Sequence, residues 1–246
     1  MLLLLPGLAA AQQPLIPRSV LPGLGSADQR QLVDRTAAPW RSLGRVQLET
    51  GGRCTGALIG PRLVLTAAHC VVGLRTGVVV QPRTVHFMLG YDRGTYVGHG
   101  RAVALRIGPG YDPAAQAPVS ADWAVLTLDT PLGTPDRVLP LLEALPAAGT
   151  PLRLGGYQQD RQEVLLADRD CQLLGISARG PTGMLVHDCA GTRGTSGGPL
   201  LTQRPDGGWA IVGVASRVAV DVARGAAVPA AAIAAALRLE VAPPNR

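Results

Sequence analysis

The feature that most constrains the fold is a series of short apolar runs, beginning at Arg45, that are separated by turn-forming residues. The chain contains 31 glycines and 21 prolines, and both residue types interrupt helix interiors. Short runs at this spacing indicate an all-β sandwich or barrel. Strands are predicted at Arg45–Leu48, Gly56–Ile59, Leu63–Thr66, Thr84–Leu89, Ala102–Ile107, Trp123–Leu128, Pro151–Leu154, Glu163–Ala167, Met184–His187, Gly198–Thr202 and Trp209–Ala215.

The two ends of the chain follow other patterns. Pro229 followed by AAAIAAALRLE predicts a helix over about 229–240, because proline suits the first turn and alanine favours helix. Residues 12–40 are rich in Pro, Gly, Ser and Asp, and they predict an extended leader or propeptide before a domain over 41–246. Residues 1–11 end in small residues, as a signal peptide does, although a positively charged start is missing.

The charge pattern argues against nucleic-acid and membrane partners. The net charge is +6 and every basic residue is arginine, but the arginines are scattered, and only one Phe and four Tyr are present to stack on bases. A basic but soluble surface is the simpler interpretation. Beyond the start of the chain, no stretch reaches the roughly 18 apolar residues of a membrane-spanning helix.

The four cysteines favour disulfides rather than metal binding. Cys54, Cys70, Cys171 and Cys189 include no C-x-x-C pair, and H-E-x-x-H is also absent, so no metal site is expected. No glycine motif follows a strand and opens a helix, so no nucleotide cofactor is expected either. Three disulfide pairings are open. Cys54–Cys70 with Cys171–Cys189 is favoured, because it closes loops of similar length within each half of the chain.

A glycine-rich stretch around Ser196 is the first candidate for chemistry. Flanking glycines let the backbone approach a substrate, and successive N–H groups there can stabilise an oxyanion. The stretch also fits G-x-S-x-G, the nucleophile elbow of the α/β-hydrolases. Those enzymes place the catalytic histidine after the serine, but the last histidine in this chain is His187. Subtilisin-like order needs a helix after the serine, which Gly197-Gly198-Pro199 disfavours. Alone, the stretch is also compatible with an ordinary turn.

The remaining order is histidine, aspartate, serine. His69 follows the apolar run LVLTAA and stands beside Cys70, which can anchor a base. Asp122 directly precedes an apolar strand, where a carboxylate is costly to bury unless it is paired. A structural histidine and a capping aspartate are the alternatives for these two residues taken singly.

Together, three segments resemble the signature blocks of the trypsin/chymotrypsin-like serine peptidases: CTGALIGPRLVLTAAHC (54–70), DWAVLTL (122–128) and GTSGGPLL (194–201). The resemblance implies two six-stranded antiparallel β-barrels, over about 41–130 and 145–228, with a C-terminal helix. It implies that His69 is the general base, that Asp122 orients it and that Ser196 is the nucleophile. The resemblance also implies that the N–H groups of Gly194 and Ser196 form the oxyanion hole and that Cys54–Cys70 is the disulfide beside the catalytic histidine.

Departures from the family pattern concern activation and specificity. Thr195 replaces the aspartate that receives a freed N-terminal amine in the animal enzymes, which makes the chain similar to the bacterial glutamyl endopeptidase (V8-like) branch. Ala190 stands where trypsin has its specificity carboxylate, and Ala215 where V8-like enzymes have a histidine. Ser216 and Val218 are expected to border the substrate pocket and Arg193 its entrance. Small or medium uncharged side chains are the predicted substrates.

The sequence therefore predicts a serine endopeptidase that needs no cofactor and acts as a monomer on proteins or peptides. Its expected location is secreted or periplasmic, in a bacterium. The alternative is a catalytically silent peptidase-like binding domain, whose site is left unformed because Thr195 cannot make the activating ion pair. The presence of all three triad residues favours the enzyme.

Overall fold

A computed structural model describes residues 21–26, 28–178, 180 and 182–239. The expected signal peptide and residues 12–20 of the expected leader lie outside the described residues. The strands are β1 (Gln31–Leu32), β2 (Leu43–Leu48), β3 (Arg53–Leu58), β4 (Leu63–Thr66), β5 (Val85–Leu89), β6 (Gly98–Ile107), β7 (Ala124–Leu128), β8 (Pro151–Gln158), β9 (Arg161–Ile176), β10 (Leu185–His187), β11 (Pro199–Gln203), β12 (Trp209–Val218) and β13 (Gly225–Pro229), followed by helix α1 (Ala230–Leu239).

The first half of the chain forms a closed six-stranded antiparallel barrel in the order β2-β3-β4-β7-β6-β5. Alternation along the strands explains the closure. In β5, Val85, Phe87 and Leu89 point into the core while the residues between them are half-buried. Gly44 faces Phe87, and a Cβ there would lie 2.5 Å from the ring. The barrel interior is therefore filled by side chains.

The second half forms another closed antiparallel barrel, in the order β9-β10-β13-β12-β11-β8, with β8 pairing back onto β9. The short strand β1 adds to its outside, where Gln31 pairs with Ala167 of β9. The prediction of an all-β protein with two six-stranded barrels and a C-terminal helix is confirmed. No helix within the described ranges is long and apolar enough to cross a membrane.

All eleven predicted strands occur in the structure, several of them longer than predicted. Two strands were missed. β13 reads Gly-Ala-Ala-Val-Pro and has too little alternation to be recognised, and β1 is only two residues long. Pro229, predicted as the first turn of the helix, is instead the last residue of β13, and α1 begins one residue later.

The two disulfides lie one in each barrel, in the favoured pairing. Cys54–Cys70 joins β3 to a short 3-10 turn, Ala68–Val71, with a Cα–Cα distance of 5.9 Å. Cys171–Cys189 joins β9 to the segment after β10, with a Cα–Cα distance of 4.8 Å. The first disulfide therefore anchors the turn that carries His69.

Candidate active site

His69 lies at the end of β4, on the anchored turn. Its backbone N–H donates to Asp122 Oδ1 at 2.9 Å, and its ring Nδ1 lies 2.8 Å from Asp122 Oδ2. Two contacts to one carboxylate fix both the backbone and the ring plane. The ring nitrogen that remains, Nε2, is left to face the cleft between the barrels, which His69 lines.

Asp122 follows a 3-10 turn immediately before β7 and is fully buried. Ser216 Oγ donates to its Oδ2 at 2.5 Å, and Arg217 Nη1 donates to the same oxygen at 3.2 Å. Burial by itself opposes the charged form, but the hydrogen bonds from His69 and Ser216 hold the pKa of Asp122 below its ordinary value. The carboxylate is therefore ionised at neutral pH.

The loop carrying Ser196 depends on two glycines with positive φ, 91° at Gly194 and 77° at Gly197. A Cβ at Gly194 would lie 2.2 Å from Tyr157 O, and one at Gly197 would lie 2.1 Å from Thr66 Oγ1, so side chains are excluded at both positions. Within the described part of the chain, the backbone N–H groups of Gly194 and Ser196 donate no hydrogen bond. Both donors are free for a ligand.

Thr55, in β3 of the first barrel, holds this loop of the second barrel. Its N–H donates to Ser196 O at 2.9 Å, and its hydroxyl donates to Gly194 O at 2.8 Å. The same hydroxyl accepts the N–H of Tyr157, in β8, at 2.9 Å. His69 and Ser196 thus come from different barrels and meet in one cleft. Among the hydrogen bonds of the described residues, none joins Ser196 Oγ to the ring.

The cleft contains a cavity of about 680 Å³ on one side of Ser196 and a groove of about 360 Å³ on the other, and His69 and Ser196 line both. Arg193, Ser216 and Val218, the expected pocket residues, line the cavity. Ala190 does not. It is fully buried against Leu21 and Leu24, because residues 21–24 pack over the loop there. In this structure Ala190 is therefore covered by residues 21–24, and its place at the pocket stays a prediction.

His187 is a pocket residue that the sequence did not suggest. It lines the cavity, is 1% exposed, and neither ring nitrogen has a hydrogen-bond partner among the described residues. Burial lowers the pKa of His187 to about 4. Its place depends on the pairing of β10 with β13, which sets the ring against Gly225, where a Cβ would lie 2.6 Å from Nε2. Nothing local in the sequence indicates this pairing.

Arg217 is the second missed residue. Its guanidinium donates to Asp122 and also to Gln116 O at 3.0 Å. It therefore ties the buried carboxylate to a loop at the rim of the cavity. Arg193 and Arg217 both line the cavity, whereas no carboxylate is among the described residues that line it.

Two antiparallel barrels with a cleft between them, carrying histidine, aspartate and serine in that chain order, define the class of chymotrypsin-like serine endopeptidases. The family model described as Trypsin matches residues 31–237. The chain belongs to the trypsin family.

Several characterised proteins are similar to the chain. It is 30% identical over 210 residues to serine protease filzig of Drosophila melanogaster, which covers 73% of this chain and 12% of that protein. It is 26% identical over 190 residues to a glutamyl endopeptidase of Bacillus licheniformis, covering 76% and 57%. It is 30% identical over 211 residues to human chymotrypsin-like elastase family member 3B, covering 73% and 74%. The chain thus spans less than two thirds of the first two relatives.

A solved structure shares the fold. A Glu endopeptidase in complex with MPD superposes with a TM-score of 0.69 and 22% identity, over 89% of this chain and 100% of that one. This likeness shows the fold, and the similarity to the bacterial, V8-like branch is supported by the Bacillus relative.

Proposed function

We propose that the chain is an exported serine endopeptidase in which His69, Asp122 and Ser196 form the catalytic triad. The observation that carries the proposal is the 2.8 Å contact between His69 Nδ1 and Asp122 Oδ2, with Ser196 in the same cleft. Membership of the trypsin family and two disulfides favour an extracellular or periplasmic site of action on protein or peptide substrates.

The reaction begins with acyl transfer. Because His69 donates its Nδ1–H to ionised Asp122, Nε2 is the basic nitrogen. It accepts the Ser196 hydroxyl proton as Oγ attacks the substrate carbonyl carbon. The tetrahedral oxyanion accepts hydrogen bonds from the Gly194 and Ser196 N–H groups, and His69 then protonates the leaving amine as the C–N bond breaks. Water, deprotonated by His69, releases the acyl group in the second half.

The surroundings of Asp122 support its role in this reaction. Its negative charge stabilises the imidazolium that forms when His69 takes the proton. The hydrogen bonds from Ser216 and Arg217 keep the carboxylate ionised although it is fully buried. Since Arg217 also bonds Gln116 O, the orienting group is linked to the cavity rim that a substrate side chain passes.

The cavity favours substrate side chains without positive charge. Arg193 repels cations, and no carboxylate of the described residues lines the cavity to compensate it, whereas the charge of Arg217 is paired with the buried Asp122. At neutral pH the buried His187 ring is uncharged, with one nitrogen as donor and the other as acceptor. Lysine or arginine side chains therefore fit worst, and the small or medium uncharged side chains predicted from the sequence are compatible with this lining. The groove on the other side of Ser196 is open to the leaving-group side of an extended peptide.

Labelling with a fluorophosphonate tests the proposal. This reagent phosphonylates only an activated serine, so the wild-type protein should label and Ser196→Ala should not. Ser177→Ala, which changes an exposed serine, is the matched control and should label as the wild type does. Equal, weak labelling of wild type and Ser196→Ala would instead support the silent binding domain. Sequencing the products of a diverse peptide mixture would then give the cleavage preference.

A further inference from the structure

The loop that leads into the nucleophile is fixed at three successive backbone N–H groups. We call residues 190–196 the nucleophile loop. The N–H of Ala190 donates to Asp168 Oδ2 at 2.7 Å, that of Gly191 to Gly23 O at 3.0 Å, and that of Thr192 to Gln158 Oε1 at 2.9 Å. Side chains and a distant segment, rather than strand pairing, therefore determine the path of this loop.

One of these acceptors is itself positioned by Arg30. The guanidinium is almost fully buried, with 1% of the side chain exposed. Its Nη1 donates to Gln158 Oε1 at 2.7 Å, the oxygen that also receives the Thr192 N–H. The two terminal nitrogens bind both oxygens of Asp160 at 2.9 and 2.8 Å. This fork geometry holds the fully buried Gln158 amide in one orientation.

The segment that contains Arg30 is packed against the nucleophile loop. Leu21 and Leu24 are buried against Ala190, and Pro22 forms part of the cavity wall. Gly23 has a φ of 81°, and a Cβ there would lie 2.1 Å from Gly191 O, so its backbone touches that of the loop. At the other end, β1 pairs with β9. Residues 21–24 therefore line one side of the loop, while Arg30 and β1 contact the strands β8 and β9 and the turn between them.

Thr195 stands before the nucleophile, where the animal enzymes have an aspartate that binds a freed N-terminal amine, and a threonine cannot form that ion pair. Its side chain is 2% exposed and its hydroxyl has no hydrogen-bond partner among the described residues. No charged group at this position can anchor the loop from within. The anchoring groups lie outside the loop instead, and Arg30 contributes the buried positive charge among them.

We propose that residues 21–26 and 28–32 form a clamp, centred on Arg30, that holds the nucleophile loop in its oxyanion-binding conformation. The inference rests on the proposed role of Ser196. Arg30 is a positioning residue, because it acts on the loop through Gln158 and never reaches the substrate. Without the guanidinium, the Gln158 amide and the Asp160 carboxylate lose a buried partner, and the Thr192 N–H loses an acceptor of fixed orientation. The N–H of Gly194 then leaves its position.

The first test compares Arg30→Met and Arg30→Lys with the wild type. Methionine keeps an extended side chain without charge, whereas lysine keeps the charge without the fork. The fluorophosphonate labelling rate should fall about 100-fold or more in Arg30→Met, the size of the loss when an oxyanion donor is removed. Arg30→Lys should recover part of it. Arg93→Met is the control, since Arg93 pairs with Asp92 at the surface with 66% of its side chain exposed.

The second test leaves Arg30 in place and moves the segment. Gly23→Ala puts a methyl group into Gly191 O, so the labelling rate should again fall. Gly94→Ala is its matched control, because Gly94 has a similar φ of 84° but no atom within 4 Å of an added Cβ. The rates are measured well below each unfolding midpoint, so that loss of fold does not contribute. If Arg30→Met does not fold, Gly23→Ala decides.

The outcomes separate this inference from the proposed function. Wild-type labelling rates in folded Arg30→Met, or in Gly23→Ala where Arg30→Met does not fold, overturn the clamp and leave the triad standing. A fall that Gly94→Ala shows equally is due to backbone strain, and it overturns the clamp as well. Failure of the wild-type protein to label at all refutes the role of Ser196 itself. A slower rate in both clamp variants, with both controls unchanged, supports the clamp.

Discussion

The buried ring of His187 predicts a stability that depends on pH in a defined window. In the folded protein, burial lowers the pKa of His187 to about 4 from an ordinary value of 6.5. Between these two values the unfolded chain binds a proton that the folded chain does not, so the free energy of unfolding falls as the pH falls. Above pH 6.5 neither state is protonated, and the residue contributes no pH dependence.

The size of the effect follows from the two values. Going from pH 7.5 to pH 4.5, His187 should lower the free energy of unfolding by about 2.5 kcal/mol. Other groups also titrate in this range, so the quantity to measure is a difference between two proteins. His187→Gln removes the titrating ring and keeps a polar side chain. The variant should be less sensitive to acid than its parent by this amount.

Urea unfolding, followed by tryptophan fluorescence, is the assay. Both proteins carry Ser196→Ala, so that self-cleavage cannot distort the curves, and each is unfolded at pH 7.5 and pH 4.5. Proton NMR adds a direct check, since the ring signal that is lost in His187→Gln should not titrate between pH 7.5 and 5 in the folded parent. Equal acid sensitivity of parent and variant, or a signal that titrates near pH 6.5, would refute the reasoning.

Other predictions concern the triad and its supports. Asp122→Asn should lower kcat by about 10⁴-fold, because the amide holds the wrong tautomer of His69, and a loss below tenfold on a peptide substrate would contradict this role. Ser216→Ala removes the hydrogen bond to the buried carboxylate and should lower the free energy of unfolding by about 1–3 kcal/mol, as thermal unfolding would show. Replacing Cys54 and Cys70 by alanine should cost about 3 kcal/mol in urea unfolding.

The fold was largely predictable from local patterns. Short apolar runs such as Val85–Leu89 alternate inside and outside along a strand, and turn residues separate them. These signals are local, so they can be recognised without knowing which strands lie next to one another. Strand β13 was not predicted, because its burial comes from its partners β10 and β12 on either side rather than from its own pattern.

The candidate triad was predictable for a different reason. His69, Asp122 and Ser196 each stand in a distinctive segment, and their order along the chain excludes other hydrolase arrangements. The pocket was not predictable in the same way. His187 reaches the cavity only through the pairing of β10 with β13, and Ala190 is shielded by Leu21 and Leu24 from a distant segment. Both outcomes depend on contacts between residues far apart in sequence.

The position of Thr55 between the two halves of the molecule has a wider consequence. A single hydroxyl accepts from β8 and donates to the nucleophile loop, while Thr55 itself belongs to the opposite barrel. The alignment of His69 with Ser196 thus depends on the interface between the two barrels, and neither barrel provides it alone. A small separation of the two barrels would abolish the proposed hydrolysis while each barrel kept its own hydrogen-bonded strands. The stability of the interface between the barrels therefore determines how long the molecule stays active.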